Sequence, residues 1–168
     1  MAPAFLRWAL LAIPASLAAA SALAQDVATY RNQRHGFSLS YPTATFTAQP
    51  PAAGEDDGRV FLSRDGNARL LAGALPNTDG MSLRDYRSLV LQQSYPGAAI
   101  DYAPVRDTWF VLSGTRDGTM FYERVTFTCG GRRINSWAMV YPTAERRFYD
   151  RIVEQVARSY RTGQGNCG

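Results

Sequence analysis

Three strand-like runs decide the fold: Trp109-Phe-Val-Leu-Ser113, Thr119-Met-Phe-Tyr-Glu-Arg-Val-Thr-Phe-Thr-Cys129 and Ile134-Asn-Ser-Trp-Ala-Met-Val-Tyr141. Asp117-Gly118 separates the first two runs, and Gly130-Gly131 separates the last two. Such pairs adopt the positive φ angles that tight hairpin turns require, and here they lie between β-branched and aromatic residues. The stretch therefore predicts a three-stranded antiparallel meander.

The two turns also predict which residues lie opposite one another. With a loop of two or four residues at Gly130-Gly131, Glu123 lies opposite Ala138 and Arg124 lies opposite Trp137. Both surfaces of this meander are then largely apolar or aromatic, unlike the usual antiparallel sheet with one face in water. We therefore expect other elements to cover each face.

Two amphipathic helices are predicted on either side of the meander in the sequence. Ser82 caps the first, with Asp85 three residues later, and Tyr95-Pro96-Gly97 ends it. The second starts at Pro142-Thr143 and runs to about Tyr160. Its predicted inward residues are Phe148, Tyr149, Ile152, Val153, Val156 and Tyr160.

Further strands complete the sheet. Alternation predicts one strand over 37–41, Asp65-Gly66-Asn67 predicts a hairpin between strands at 59–64 and 68–75, and 100–105 is a further strand. The predicted fold class is α+β, an antiparallel sheet of about six to seven strands flanked by helices on both faces. No repeat or second domain is visible, so we expect residues 25–168 to form a single globular domain.

A short motif near the amino terminus resembles a known family. Tyr30, followed by a polar stretch and Gly36-Phe37-Ser38-Leu39-Ser40-Tyr41-Pro42, is similar to the opening of the PsbP and Mog1-like families. The resemblance implies an α/β/α sandwich and a non-enzymatic helper that acts on a larger assembly through a protein partner. Functional residues of the family do not transfer, because the matched positions are strand-forming ones only.

Residues 1–24 have the pattern of an export signal. Arg7 supplies the positive charge, residues 8–20 are mostly apolar, and Ala22-Leu23-Ala24 provides the small residues that a signal peptidase requires. The apolar run is short for a membrane span, although an uncleaved amino-terminal anchor is the alternative. We expect a periplasmic or secreted protein without an integral membrane segment after cleavage.

The chain has two cysteines, Cys129 and Cys167. In an oxidising compartment two cysteines most often pair, so we predict a disulfide that ties the meander to the carboxyl-terminal tail. It should stabilise the fold by roughly 3 to 4 kcal/mol in the chain-entropy model. The alternative is a redox or nucleophilic thiol.

Composition excludes several chemistries. All 18 basic residues are arginine, which rules out Schiff-base catalysis, a phosphate-loop lysine and a serine–lysine dyad. The arginines are dispersed, so no nucleic-acid partner is predicted. His35 is the single histidine, which excludes paired-histidine metal sites, and we expect it to be exposed or to cap a turn. We predict no metal, no cofactor and no catalytic residues.

Two features of the central strand remain as candidate sites. Glu123 is a carboxylate on an apolar surface, where we favour a structural salt bridge over a functional acid. On the other surface, Arg124, Trp137, Tyr122 and Tyr141 form either core packing with a cation–π contact or the floor of a binding groove. Packing is the favoured interpretation.

The predicted function is an exported, non-enzymatic accessory or binding domain of the cell envelope with a protein partner. One alternative is a periplasmic small-molecule-binding protein that uses the Arg124 and Trp137 face. A second is a small hydrolase that uses Glu123 or His35. A further possibility is binding to peptidoglycan or a membrane surface through the dispersed arginines.

Overall fold

The structure is a computed structural model that describes residues 26–51, 57–163 and 167. The predicted export signal at residues 1–24 lies outside the described residues. None of the helices in the described part of the chain has the length and apolar character that a membrane crossing requires.

The predicted α+β class and strand number are confirmed. The elements are β1 Val27–Arg31, β2 Ser38–Pro42, β3 Phe46–Ala48, β4 Gly58–Ser63, β5 Arg69–Pro76, α1 Leu83–Gln93, β6 Ala99–Tyr102, β7 Trp109–Arg116, β8 Thr119–Thr128, β9 Arg133–Pro142 and α2 Arg146–Ser159. Seven strands form one antiparallel sheet in the order β3-β4-β5-β9-β8-β7-β6, while β1 and β2 form a separate hairpin. Strands β1 and β3 were not predicted from the sequence, and the predicted strand at 37–41 lies in the β1–β2 hairpin outside the main sheet.

The meander has the predicted register. Asp117-Gly118 is a two-residue turn, while the second turn contains four residues, because Thr128 pairs with Arg133. Glu123 lies opposite Ala138 and Arg124 opposite Trp137, as expected. Loops of two and four residues leave the same residues on the same face, so the longer turn changes nothing else.

One face of the sheet packs against α2 and the β1–β2 hairpin. Trp137 and Met139 of β9 are fully buried there with Ile152 and Val156 of α2. Phe148 was predicted to face this core, and that prediction is wrong: 45% of its surface is exposed. Helix α2 begins only at Arg146, after a 3-10 turn, and its inward stripe runs through Tyr149 rather than Phe148.

The other face packs against α1 over part of its width. Ser82 caps α1 as predicted, because its hydroxyl accepts a hydrogen bond of 3.1 Å from the amide of Asp85. The helix and the loops beside it cover Phe110 and Leu112 of β7 and the neighbouring apolar residues of β8. Helices therefore flank both faces, but among the described residues α1 leaves the β4–β5 half of its face open: Val60 is 39% and Leu75 is 43% exposed.

The predicted disulfide is present between Cys129 and Cys167, whose Cα atoms are 5.3 Å apart. It joins the β8–β9 turn to the carboxyl-terminal tail. The preceding tail residue Arg161 pairs with Ser38 through two backbone hydrogen bonds of 2.9 Å. Gly163 then lies so close to Gly36 that an added Cβ would be 2.4 Å from its backbone. The tail is thus fixed to both the hairpin and the main sheet.

Candidate functional site

An open cleft of about 720 Å³ occupies the uncovered half of the α1 face. Its floor comes from β4, β5 and β9, and its wall is formed where the chain leaves α1, at Ser94 and Tyr95. Helix α1 ends at Gln93, and Gly97 takes a positive φ of 72° that turns the chain toward β6. The remaining lining residues used below are Val60, Arg69, Leu71, Gly73, Glu123, Ser136 and Ala138.

The floor is low because two glycines pair across it. Gly58 of β4 lies opposite Gly73 of β5. A Cβ at Gly58 would lie 2.5 Å from the carbonyl oxygen of Ala72, so this position accepts no side chain without a backbone shift. A Cβ at Gly73 would meet no atom closer than 3.5 Å, which is ordinary contact. The space above Gly73 is therefore free because glycine has no side chain, and a larger residue at this position would fill part of the cleft.

Glu123 lines the cleft from the middle of β8. Its Oε2 accepts a hydrogen bond of 2.7 Å from the hydroxyl of Tyr95. The Tyr95 ring stacks on Phe121, with ring centroids 3.8 Å apart and planes 11° from parallel, so the hydroxyl is held in place. The favoured expectation of a salt bridge is not met: no ion pair to Glu123 occurs among residues 26–51, 57–163 and 167. Glu123 instead pairs with a tyrosine and faces a cleft.

The electrostatics of this pair follow from burial. Burial raises the pKa of Glu123, and the hydrogen bond from Tyr95 opposes that increase. Burial, with a smaller contribution from the charge and hydrogen bond of Glu123, also raises the pKa of Tyr95, which is therefore neutral and donates its proton. A carboxyl group with a raised pKa in a cleft is a common feature of binding and catalytic sites.

The predicted Arg124 and Trp137 face lies on the opposite side of the sheet. Trp137 and Tyr141 are 0% and 1% exposed beneath α2, and the Tyr141 hydroxyl donates a hydrogen bond of 2.7 Å to Asp150. Tyr122 is half-buried and stacks on Trp137, with ring centroids 5.0 Å apart. The guanidinium of Arg124 lies 4.5 Å from the ring centroid of Trp109. Ligand binding by this face stays a prediction, and the cleft described above is lined by other residues.

His35 is buried, contrary to the expectation that it would be exposed: only 6% of its surface is accessible. The amide of His35 donates to Oδ1 of Asn32, so the side chain that caps this turn is Asn32 and not His35 as predicted. The ring Nε2 lies 2.7 Å from Oδ1 of Asp57, which also pairs with Arg34 at 3.0 Å. The hydrogen bond to His35 and the charge of Arg34 lower the pKa of Asp57. No described contact joins His35 to Glu123.

Sequence reasoning missed two parts of the cleft. The sequence predicts Tyr95 only as part of the stop that ends a helix, although a tyrosine next to a Pro-Gly pair can turn back onto the sheet. Gly73 lies between Leu71 and Leu75 on a strand that is apolar on both faces. A glycine between two larger apolar residues of one face is the signal in the sequence that indicates an open floor. No group of three or more His, Cys, Asp or Glu residues in the described part of the chain could hold a metal ion.

Comparison with solved structures identifies the fold. The solution structure of cyanobacterial PsbP (CyanoP) from Synechocystis sp. PCC 6803 superposes with a TM-score of 0.60 and 15% identity, covering 82% of this chain and 93% of that one. The Ran-binding protein Mog1p of Saccharomyces cerevisiae gives a TM-score of 0.55 and 10% identity, covering 82% and 96%. A Mog1 point mutant gives a TM-score of 0.57 and 9% identity, covering 83% and 97%.

The chain therefore has a PsbP/Mog1-like fold, which confirms the resemblance seen in residues 30–42. No protein-family model matches the sequence, and neither does any curated protein. At identities of 9% to 15%, the likeness extends to the fold alone.

Proposed function

We propose that this protein is an exported, non-enzymatic accessory or binding domain of the cell envelope, and that a protein partner binds in the cleft beside Glu123. Export is supported by the signal-like pattern of residues 1–24 and by the Cys129–Cys167 disulfide, a type of bond that persists in oxidising compartments. A partner is supported by the fold, since one protein that shares it is described as Ran-binding.

One observation carries the proposal: the β4–β5 half of the sheet exposes apolar side chains that no described element covers. Val60 and Leu75 are 39% and 43% exposed and lie on the same face as the half-buried Leu71, which is opposite Val60. Concave apolar surface of this kind marks interaction sites on soluble proteins. The cleft opens along the sheet, whereas small-molecule pockets usually enclose most of their ligand. A protein surface or an extended peptide therefore fits it better than a small compound.

Site-specific photo-crosslinking tests the proposal. A photoreactive phenylalanine analogue replaces Val60 in the full chain, which is expressed in its own host. The matched control carries the same analogue at Glu154, whose side chain is 69% exposed on α2. We expect one discrete protein adduct from position 60 and no such adduct from position 154.

A second variant ties that adduct to the cleft. Gly73→Val adds a side chain above the floor at a position with a free Cβ direction, and it should abolish the adduct at position 60 while the protein stays folded. The proposal fails if position 60 yields no adduct, if both positions yield the same adduct, or if Gly73→Val leaves the adduct unchanged.

A hydrolase that uses Glu123 as a general acid is the second candidate, because burial raises the pKa of Glu123 and so favours the protonated form that donates a proton. Purified protein would be assayed with ester, glycoside and peptide substrates, with Glu123→Gln as the control. Turnover that disappears in Glu123→Gln would favour this candidate over the binding domain.

A further inference from the structure

The carboxylate of Glu123 has an incomplete set of partners. Its single described hydrogen bond comes from Tyr95, a neutral donor. A carboxylate can accept several hydrogen bonds, and the strongest are those from cationic groups. Because Glu123 lines an open cleft, a bound partner can reach it.

The arginines nearest this cleft do not satisfy Glu123. The guanidinium of Arg59 donates to the carbonyl of Gln49 and lies 5.5 Å from the ring centroid of Tyr30, which belongs to the core beneath α2. Arg69 is exposed at the cleft margin, and no ion pair in the described residues joins it to Glu123. Its charge lowers the pKa of Tyr95, whereas the shift of Glu123 arises from burial and the Tyr95 hydrogen bond alone.

The shape around Glu123 suits a long cationic side chain. Ala138 of β9 lies opposite Glu123, and Leu71 of β5 lies opposite Ala138. The side chains that lead across the sheet to the carboxylate are therefore apolar, and that of Ala138 is small. Lysine and arginine have aliphatic stems that pack on apolar surface while their charged ends reach a polar group. A stem across Ala138 would place its cation at Glu123.

We infer that Glu123, held by Tyr95, is the recognition point of the cleft and binds a lysine or arginine side chain of the protein partner. This inference rests on the proposed function and adds the chemistry of the group that is bound. The exposed Val60 and Leu75 on the same face distinguish a peptide from a free amine, because a peptide carrying the basic residue also covers these two side chains.

Three synthetic peptides test the inference on the full mature chain with its disulfide intact. They share an extended apolar sequence of nine residues and differ only at the centre, which is lysine, arginine or the uncharged norleucine. Binding is measured by isothermal titration calorimetry, and amide chemical shifts locate the site. We expect the lysine and arginine peptides to bind at least tenfold more tightly than the norleucine peptide.

The protein variants separate charge recognition from apolar docking. Glu123→Gln keeps the shape of the side chain and should remove the tenfold preference, while Glu154→Gln makes the same change in charge on α2 and should retain it. In the wild-type protein we also expect peptide binding to change the amide chemical shifts of residues in β5 and β9. Exchanging lysine for norleucine alters only the peptide, so that comparison holds even if Glu123→Gln folds poorly.

The outcomes distinguish this inference from the proposed function. Equal binding of the three peptides, an unaltered preference in Glu123→Gln, or no binding at millimolar concentration would overturn the inference. The crosslink at position 60 would still report on the proposed function. Spermidine that binds as tightly as the lysine peptide would also overturn it, since the ligand would then be a free polyamine.

Discussion

Loss of the Cys129–Cys167 disulfide should destabilise this protein severely, and the structure allows the size of the effect to be worked out. The bridge closes a loop with a sequence separation of 38 residues. This loop contains β9 and α2, which contribute seven of the seventeen described residues that are buried in the core on the α2 face. Opening this loop restores to the unfolded chain the conformational entropy that the disulfide removes, and the folded state becomes less stable relative to it.

The chain-entropy relation for a loop of this length gives a loss of about 4 kcal/mol at 25 °C. Single domains are typically stable by about 5 to 15 kcal/mol, so the change is a large share of the total. With a urea m-value of about 2 kcal/mol per molar, the unfolding midpoint should fall by about 2 M. The double variant Cys129→Ala with Cys167→Ala and the reduced wild type should give the same midpoint.

Urea unfolding followed by tryptophan fluorescence measures this shift, because Trp137 is buried in the affected core. Gly163→Ala is the control, because it strains the approach of the tail to Gly36 but leaves the disulfide loop closed. It should lower the free energy of unfolding much less than removal of the disulfide does. A midpoint that reduction changes by less than about 0.5 M would refute the reasoning, because the tail would then hold through Arg161 and Ser38 alone.

Three further perturbations have defined outcomes. The raised pKa of Glu123 means that folding favours its protonated form, so its contribution to stability falls as the pH rises from the unfolded pKa through the folded pKa. Glu123→Gln should therefore be more stable than the wild type at neutral pH by about 1 kcal/mol, and this difference should vanish in acid. Gly114→Ala places a Cβ 2.1 Å from the carbonyl oxygen of Ala99 and should cost about 2 kcal/mol in urea unfolding, whereas Gly73→Ala should be neutral. Tyr141→Phe removes the hydrogen bond to Asp150 and should cost about 1 kcal/mol by the same assay, and an unchanged midpoint would show that the bond contributes nothing.

Much of the fold could be predicted because local signals determine it. Asp117-Gly118 and Gly130-Gly131 specify hairpins, and the two-residue period of strands then places Glu123 and Arg124 on opposite faces. Ser82 caps α1 through a contact three residues away, which sequence spacing shows directly. With two cysteines in the chain, one intramolecular pairing was possible.

The rest depends on contacts between distant parts of the chain. Tyr95 meets Glu123 across 28 residues, and no periodicity specifies how far α1 extends over the sheet. His35 is buried because its ring reaches Asp57, 22 residues away, which is also a non-local contact. The wrong prediction for Phe148 has a local origin, because Phe148 and Tyr149 are adjacent apolar residues at the start of α2 and sequence spacing does not show which of the two is buried.

Two departures from ordinary packing coincide on one half of one face. Exposed Val60 and Leu75 forgo burial that a longer or shifted α1 would provide, and Glu123 places a carboxyl group where an apolar residue would fold with less desolvation. Either feature alone could be a local irregularity of a small domain. Val60 and Glu123 line the same cleft and Leu75 lies on the same face of the sheet, which is explained if that surface is reserved for a partner whose apolar side chains cover the sheet and whose cation pairs with Glu123. On this account, substituting Glu123 should improve stability and weaken binding together, which a purely structural residue would not do.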